Sequence, residues 1–189
     1  GAGKALYLVG ADSKRYAFPN EATYKTWFGD FIGTKTLTGA QLASLPLGGL
    51  VTVRPGTVLV KIESDPKVYA VEPGSTLRWV ETEERARLLY GSSWNKQIVD
   101  VPVSFWFAYR VGTGLGADMH PTGTLVRTPG SPSVYYIDQG KQRLIQSSAF
   151  SVLSFQEQYV RSLAPTIVYQ DGPTLTTDAS ASVRFAQAE

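Results

Sequence analysis

Three stretches of this sequence repeat one another, and the repeat limits the possible folds more than any other feature. Leu6-Tyr7-Leu8-Val9 runs through residues 10–13 into Lys14-Arg15-Tyr16-Ala17-Phe18. Val68-Tyr69-Ala70-Val71 runs through 72–75 into Thr76-Leu77-Arg78-Trp79-Val80, and Val134-Tyr135-Tyr136-Ile137 through 138–140 into Lys141-Gln142-Arg143-Leu144-Ile145. Each stretch predicts two β-strands joined by a polar or glycine-containing turn. Tyr7, Tyr69 and Tyr135 recur 62 and 66 residues apart, and Arg15, Arg78 and Arg143 recur 63 and 65 apart.

A helix pattern follows each hairpin. Asn20, Thr82 and Ser147 stand before the helical runs 21–28, 83–90 and 148–153, and Gly29 and Gly91 close the first two. An N-cap oxygen satisfies orphan amides at a helix start, and glycine takes the left-handed position at its end. A second short helical segment is predicted to run to Leu45-Pro46, Val101-Pro102 and Ala164-Pro165, where proline stops it. Extended segments are then expected at 50–53, 105–111 and 167–169. The predicted fold class is therefore α+β, a tandem repeat of β-hairpin, short helices and strand.

The boundaries are 1–56 for the first unit, 57–120 for the second and 121–172 for the third. Residues 173–189 are C-terminal strands of an incomplete fourth unit. Strands leading into the second and third hairpins are expected after Arg54-Pro55-Gly56-Thr57 and Pro121-Thr122-Gly123-Thr124. The same grammar restarts at 171–176 and 182–186 and stops, while the first unit opens directly on its hairpin. A hairpin without its leading strand exposes an unpaired edge. The C-terminal strands would repair it by folding back, or by completing the first unit of another copy in a head-to-tail polymer. The third alternative is a fragment of a longer array.

The combination V-Y-x-I/V, short turn, R-x-I/V, capped helix and closing proline resembles a repeat of exported and surface proteins in several bacterial phyla. It is most similar to repeats in secreted proteins of candidate-phylum bacteria, in arrays or beside cell-wall enzyme domains. The stretches carrying the resemblance are 57–102, 124–165 and 7–46; residues 113–120 match poorly and read as an inserted Gly-rich loop. The resemblance implies a surface or wall-associated role and no catalytic residues.

Composition agrees with that setting. Of the 189 residues 43% are apolar and 18% charged, enough to bury a core, and 12% are aromatic. Low charge with abundant Tyr, Thr and Gly points to an extracellular or bacterial cell-surface location. A net charge of +2 lacks the basic surplus of a nucleic-acid binder. No apolar run is long enough to span a membrane. With no cysteine and one histidine, disulfides, thiolate zinc sites and multi-histidine metal sites are excluded. No cofactor is expected. Residues 112–117 fail the dinucleotide fingerprint, because the third glycine falls one place early.

The candidate enzymatic groups are weak. His120 reads as a solvated loop histidine rather than a base. Glu81, Glu83 and Glu84 cluster at a helix start, where acids are favoured anyway. Asp100 and Asp118 lack the aromatic surroundings of a sugar-cleaving pair. Arg15, Arg78 and Arg143 form a possible ladder for an anionic polymer, although packing over a tyrosine or capping a helix within their own unit is the stronger reading. Trp27, Trp79, Trp94 and Trp106 are candidates for a sugar platform, with core packing favoured for the first two. Trp106, alternating with Phe105 and Phe107 on a strand, is the best exposed aromatic.

The sequence thus predicts a non-enzymatic exported structural or cell-surface protein. It self-assembles, by C-terminal strand donation among other routes, or attaches to the envelope. The expected assembly residues are Tyr7, Val9, Trp106, Leu175, Val183 and Phe185. The expected partners are copies of itself or a cell-envelope polymer, with no nucleic acid and no membrane insertion. The alternative is a cell-wall or polysaccharide binding module that tethers a neighbouring domain.

Overall fold

Each hairpin of the sequence forms in the structure, at the centre of the second and third sheets and at one side of the first. The computed structural model describes residues 5–116 and 119–179. It is a mixed α+β structure of three small sheets and, among the described residues, four short α-helices. In the first sheet β1 (Tyr7–Val9) pairs antiparallel with β2 (Arg15–Ala17). The helices α1 (Glu21–Trp27) and α2 (Gly39–Ala43) follow, and β3 (Leu47–Leu50) returns parallel to β2. Asn20 caps α1 by accepting the Thr23 amide at 2.8 Å.

The second sheet holds β4 (Leu59–Ile62), β5 (Tyr69–Glu72) and β6 (Thr76–Trp79) in antiparallel succession. Helix α3 (Glu83–Tyr90), capped by Thr82 and closed by Gly91, leads to β7 (Ile98–Val101) beside β4 and β8 (Arg110–Val111) beside β6, both parallel. The third sheet consists of β9 (Leu125–Arg127), β10 (Tyr135–Asp138), β11 (Lys141–Leu144), α4 (Ser147–Val152), β12 (Val160–Ser162) and β13 (Gln170–Asp171). Its order, β12-β9-β10-β11-β13, has the same sequence of parallel and antiparallel pairings as the second sheet's β7-β4-β5-β6-β8.

The structure corrects several local expectations. The segments expected as helix up to Val101-Pro102 and Ala164-Pro165 hold the strands β7 and β12, since β-branched Ile98, Val99, Val101 and Val160 align on β4 and β9. Helix α4 starts one residue early, at Ser147, and Gln146 gives it no side-chain cap. Residues 105–108 belong to a 3₁₀ turn behind Pro102 rather than to a strand. Residues 171–176 do not lead a new unit. Gly172 N–H bonds Gln142 O, Leu175 N–H bonds Leu144 O, and Leu175 bridges Ile145 in parallel, so this segment extends the edge beside β11. Gly112 and Leu115 bond Leu77 O and Trp79 O in the same way beside β6. The supposed insert therefore carries a core residue, Leu115.

The second and third sheets share one core, in which Leu59, Ala70 and Leu89 meet Val126, Ile137 and Leu163. The outer face of the second sheet buries Val60, Tyr69 and Leu77 against Val53. Helix α4 seats Ala149 and Leu153 on Tyr136, Ile145 and Leu175. The first sheet has the smallest core, made of Tyr16, Trp27 and Val51. The two links touch at glycine: a Cβ on Gly56 (φ +71°) would lie 2.1 Å from the carbonyl carbon of Gly123. Such an approach leaves no room for a side chain.

Because Leu175 is fully buried, Leu175→Ala removes side-chain contacts deep in the third unit. It should lower the unfolding free energy by about 3 kcal/mol, whereas truncating exposed Val168 should change it by less than about 0.5 kcal/mol. Urea denaturation of the two variants checks this.

Candidate functional site: a free sheet edge, its groove and the buried links

Among the described residues β1 has a strand on one side only, whereas its counterparts β5 and β10 are paired on both. Next to it lies a groove of about 660 Å³, bounded by β1, α1, α2 and the loop between the helices. Leu8, Phe18, Tyr24, Phe28, Ile32 and Leu37 make its wall largely apolar. The ring pair Tyr24–Phe31, stacked at 4.7 Å, and Phe18 against Tyr24 at 5.1 Å stiffen that wall. Ile32 is 88% exposed, a large aliphatic group left in water at the groove's rim. In the second and third sheets the corresponding edge is covered by a leading strand, β4 or β9, backed by β7 or β12.

A second cavity, of about 130 Å³, lies where the first and third units meet, between Leu8, Val9, Trp27, Arg54, Leu153 and Ser154. Arg54 is its chemical centre. It is buried, and its guanidinium donates to Ser154 O (2.6 Å) and Leu153 O (2.8 Å), with Trp27 O at 3.5 Å. It also lies over the rings of Phe155 (4.6 Å) and Trp27 (5.3 Å). Helices α1 and α4 both end here. Their last carbonyls lack intrahelical partners and carry the negative end of the helix dipole, which suits a buried cation. The sequence reading passed over Arg54; its position directly after the apolar run Leu50-Val51-Thr52-Val53 was the available signal.

The second link holds His120, which is buried at 2% exposure and not solvated as the sequence suggested. The Tyr169 hydroxyl accepts from the His120 amide at 2.7 Å and lies 2.8 Å from Nδ1, while Nε2 sits 3.1 Å from Leu89 O. A carbonyl only accepts, so Nε2 carries the proton and Nδ1 accepts from the tyrosine. Burial, opposed in part by the bond to Leu89, lowers the imidazole's pKa from 6.5 to about 4. Tyr109 plays the matching part in the first link, accepting from Val53 N–H at 3.1 Å, and burial pushes its phenol up to about 12. Sequence reasoning took position 120 for a loop because it did not pair Tyr169 with it across 49 residues.

The arginines do not form a ladder. Arg15 stands opposite Val9, whereas Arg78 stands opposite Ala70 and Arg143 opposite Tyr136. Counted from the tyrosines, Arg15 is slipped by one residue, which turns it to the other face of its sheet. Arg15 lies 5.4 Å over the Tyr7 ring and donates to Leu42 O in the last turn of α2. Arg78 faces Glu72 at 3.7 Å, and Arg143 binds Asp138 at 3.0 Å and Pro173 O at 2.8 Å.

Among the expected assembly residues, Tyr7 and Val9 lie on the free edge strand, with Val9 47% exposed. Trp106 sits on the 3₁₀ turn, 5.8 Å from both the Tyr69 and Tyr109 rings. A turn of three residues places positions 106 and 109 on one side, so Phe107, at 77%, is the exposed aromatic instead. Leu175 is a core residue of its own unit. Val183 and Phe185 lie outside the described residues, as does Asp118.

The remaining candidates are engaged locally. Glu81 and Glu83 pair with Arg85 and Arg87 along α3, and Asp100 pairs with Lys61. Trp27 is buried and donates to Thr52 O, Trp94 packs on the shared core, and Trp79 is covered by Lys67 at 5.1 Å. No helix among the described residues is long and apolar enough to cross a membrane.

No family model matches the chain, and no curated protein matches it. Among solved structures it is similar to a chain of the periplasmic assembly from the ESX-5 inner membrane complex, at 13% identity and a TM-score of 0.25. The match covers 93% of this chain and 67% of that one. A likeness of that size carries no argument about fold or function.

Two predictions follow from the links. An unfolded chain protonates its imidazole near pH 6.5 while the buried one refuses the proton until about pH 4. Stability should therefore be full above pH 6.5 and fall by roughly 3 kcal/mol as the pH drops to 4. His120→Gln should flatten that stretch of the pH–stability curve measured by urea titration. Arg54→Met removes the donors from three carbonyls and should cost about 2–4 kcal/mol. Hydrogen exchange should show α1 and the end of α4 losing protection together.

Proposed function

We propose that this protein is a non-enzymatic structural protein of the bacterial exterior, a tandem array of hairpin–helix units that associates with copies of itself through a sheet edge. The observation that carries this reading is that, among the described residues, β1 pairs with a strand on one side only, beside a largely apolar groove of about 660 Å³. A row of unpaired N–H and C=O groups binds an extended strand, and an adjoining groove accepts its alternate side chains. The common pairing order of the second and third sheets supports the repeat reading, because both units receive such a strand from the chain preceding them. The resemblance to surface repeats and the low-charge, Tyr- and Thr-rich composition support export. In this reading the units act as joined blocks, and strand exchange at the first sheet links one molecule to the next.

The test is the solution mass, by light scattering over about a hundredfold range of concentration. The unaltered chain should grow in multiples of 20.6 kDa, and Val9→Lys, which sets a charge on the open edge, should hold it at a single chain. A mass of one chain at every concentration overturns the self-association.

A further inference from the structure

Residues 163–169 cross from β12 to β13 as a strap with no strand of its own. Leu163 and Ile167 enter the core shared by the second and third sheets, while Thr166 and Val168 face water. The strap turns through Ile167 N–H to Ala164 O at 3.0 Å. A crossing with few backbone bonds opens more readily than the sheets it joins. Its far end is fastened by Tyr169, whose hydroxyl accepts the His120 amide at 2.7 Å and donates its own proton to Nδ1 at 2.8 Å. On the other side of the ring, Nε2–H ends on Leu89 O of α3 at 3.1 Å. Strap, second link and helix end are thus joined through one imidazole. The first link has the same tyrosine contact without such a ring, since Tyr109 accepts Val53 N–H at 3.1 Å.

We propose that His120 and Tyr169 form a proton-released latch, through which acid lifts the strap 163–169 off the end of α3 while the third hairpin stays folded. A proton on Nδ1 turns the ring's acceptor into a donor, so the tyrosine's own proton must turn away and that bond is lost. The surrounding groups do not compensate the new charge. Arg161 on β12 is itself a cation acting on the ring; it lies 5.4 Å over Tyr90 and donates to Thr57 O. From α3 the neighbouring group is Tyr90, whose phenol burial holds neutral. The carboxylate of this neighbourhood, Glu72 at the end of β5, is already engaged by the Thr122 amide at 3.0 Å and by Arg78 at 3.7 Å. Asp118 lies outside the described residues. Opening returns the imidazolium to water. With a ring pKa of 6.5 when open and about 4 when latched, the ratio of open to latched forms rises about twentyfold from pH 7 to pH 5. The latch is independent of the self-association proposed above.

The chain has one histidine, so its ring can be followed without assignment. Its NMR titration in the folded chain should have a midpoint well below 6.5; a midpoint near 6.5 would overturn the latch. Amide exchange at His120 and Ile167, corrected for its intrinsic pH dependence, should quicken about twentyfold between pH 7 and pH 5. At pH 5 these two amides should exchange at least about tenfold faster than Val53 and the 135–144 hairpin. Equal rates at strap and hairpin would mean that acid opens the whole chain only, and would overturn the local release. His120→Gln keeps a neutral side chain at the link and should cut the acid response to less than about twofold. A full response in that variant would assign it to another group. Tyr169→Phe leaves the imidazole in place and should speed exchange at His120 already at pH 7; unchanged exchange would overturn the role of the hydroxyl.

Discussion

A single buried guanidinium ties the ends of this chain's architecture together. Arg54 gathers the carbonyls that end α1 and α4 and is stacked between Trp27 and Phe155. Burying an arginine is costly unless its donors are used, and helix ends are among the few backbone sites with carbonyls to spare. The contact therefore does two things at once: it satisfies the helix ends, and it fixes the first unit against the third across 100 residues of sequence. Gly56, two residues on, approaches Gly123, and Arg54 lines the pocket shared with Leu8 and Val9.

The second link solves the same problem with different chemistry. His120 is neutral, donates to the end of α3 through Leu89 O and accepts from Tyr169, while Tyr169 accepts the link's own amide. Arginine in one link and histidine in the other occupy the residue just before Pro55 and Pro121. Proline fixes the backbone after them, and Thr57 and Thr124 close each turn through their hydroxyls. The links are thus rigid hubs at which helix ends converge.

Much of the fold was legible in local sequence. The three hairpins stand where alternation and turn residues put them, and Asn20, Thr82 and Gly91 act as helix caps because capping is a contact across three or four residues. The strands β7 and β12 were hidden because each is three or four residues long and runs straight out of a short 3₁₀ turn. Only pairing with β4 and β9, 35 to 39 residues away, makes them strands. The Tyr and Arg spacings each looked regular, yet they differ by one residue, and a single slip in a strand moves a side chain to the opposite face. That Tyr7 and Val9 lie on a hairpin strand was legible from local alternation and the turn that follows it. The roles of Trp106, Leu175 and His120 were not, since each depends on a partner brought up by the tertiary fold.

By itself, then, the sequence determined what is set over a few residues: where hairpins turn and where helices are capped. The tertiary structure decided which residues are buried and which carbonyls Arg54 and His120 bind. It turned Leu115 and Leu175 into core, buried His120, and among the described residues left β1, unlike β5 and β10, with a strand on one side only. The physical reason is that caps and turns draw on neighbours in the chain. Burial, register and the partners of a buried charge are settled only when distant segments meet, from 31 residues apart at His120 and Leu89 to 100 at Arg54 and Ser154.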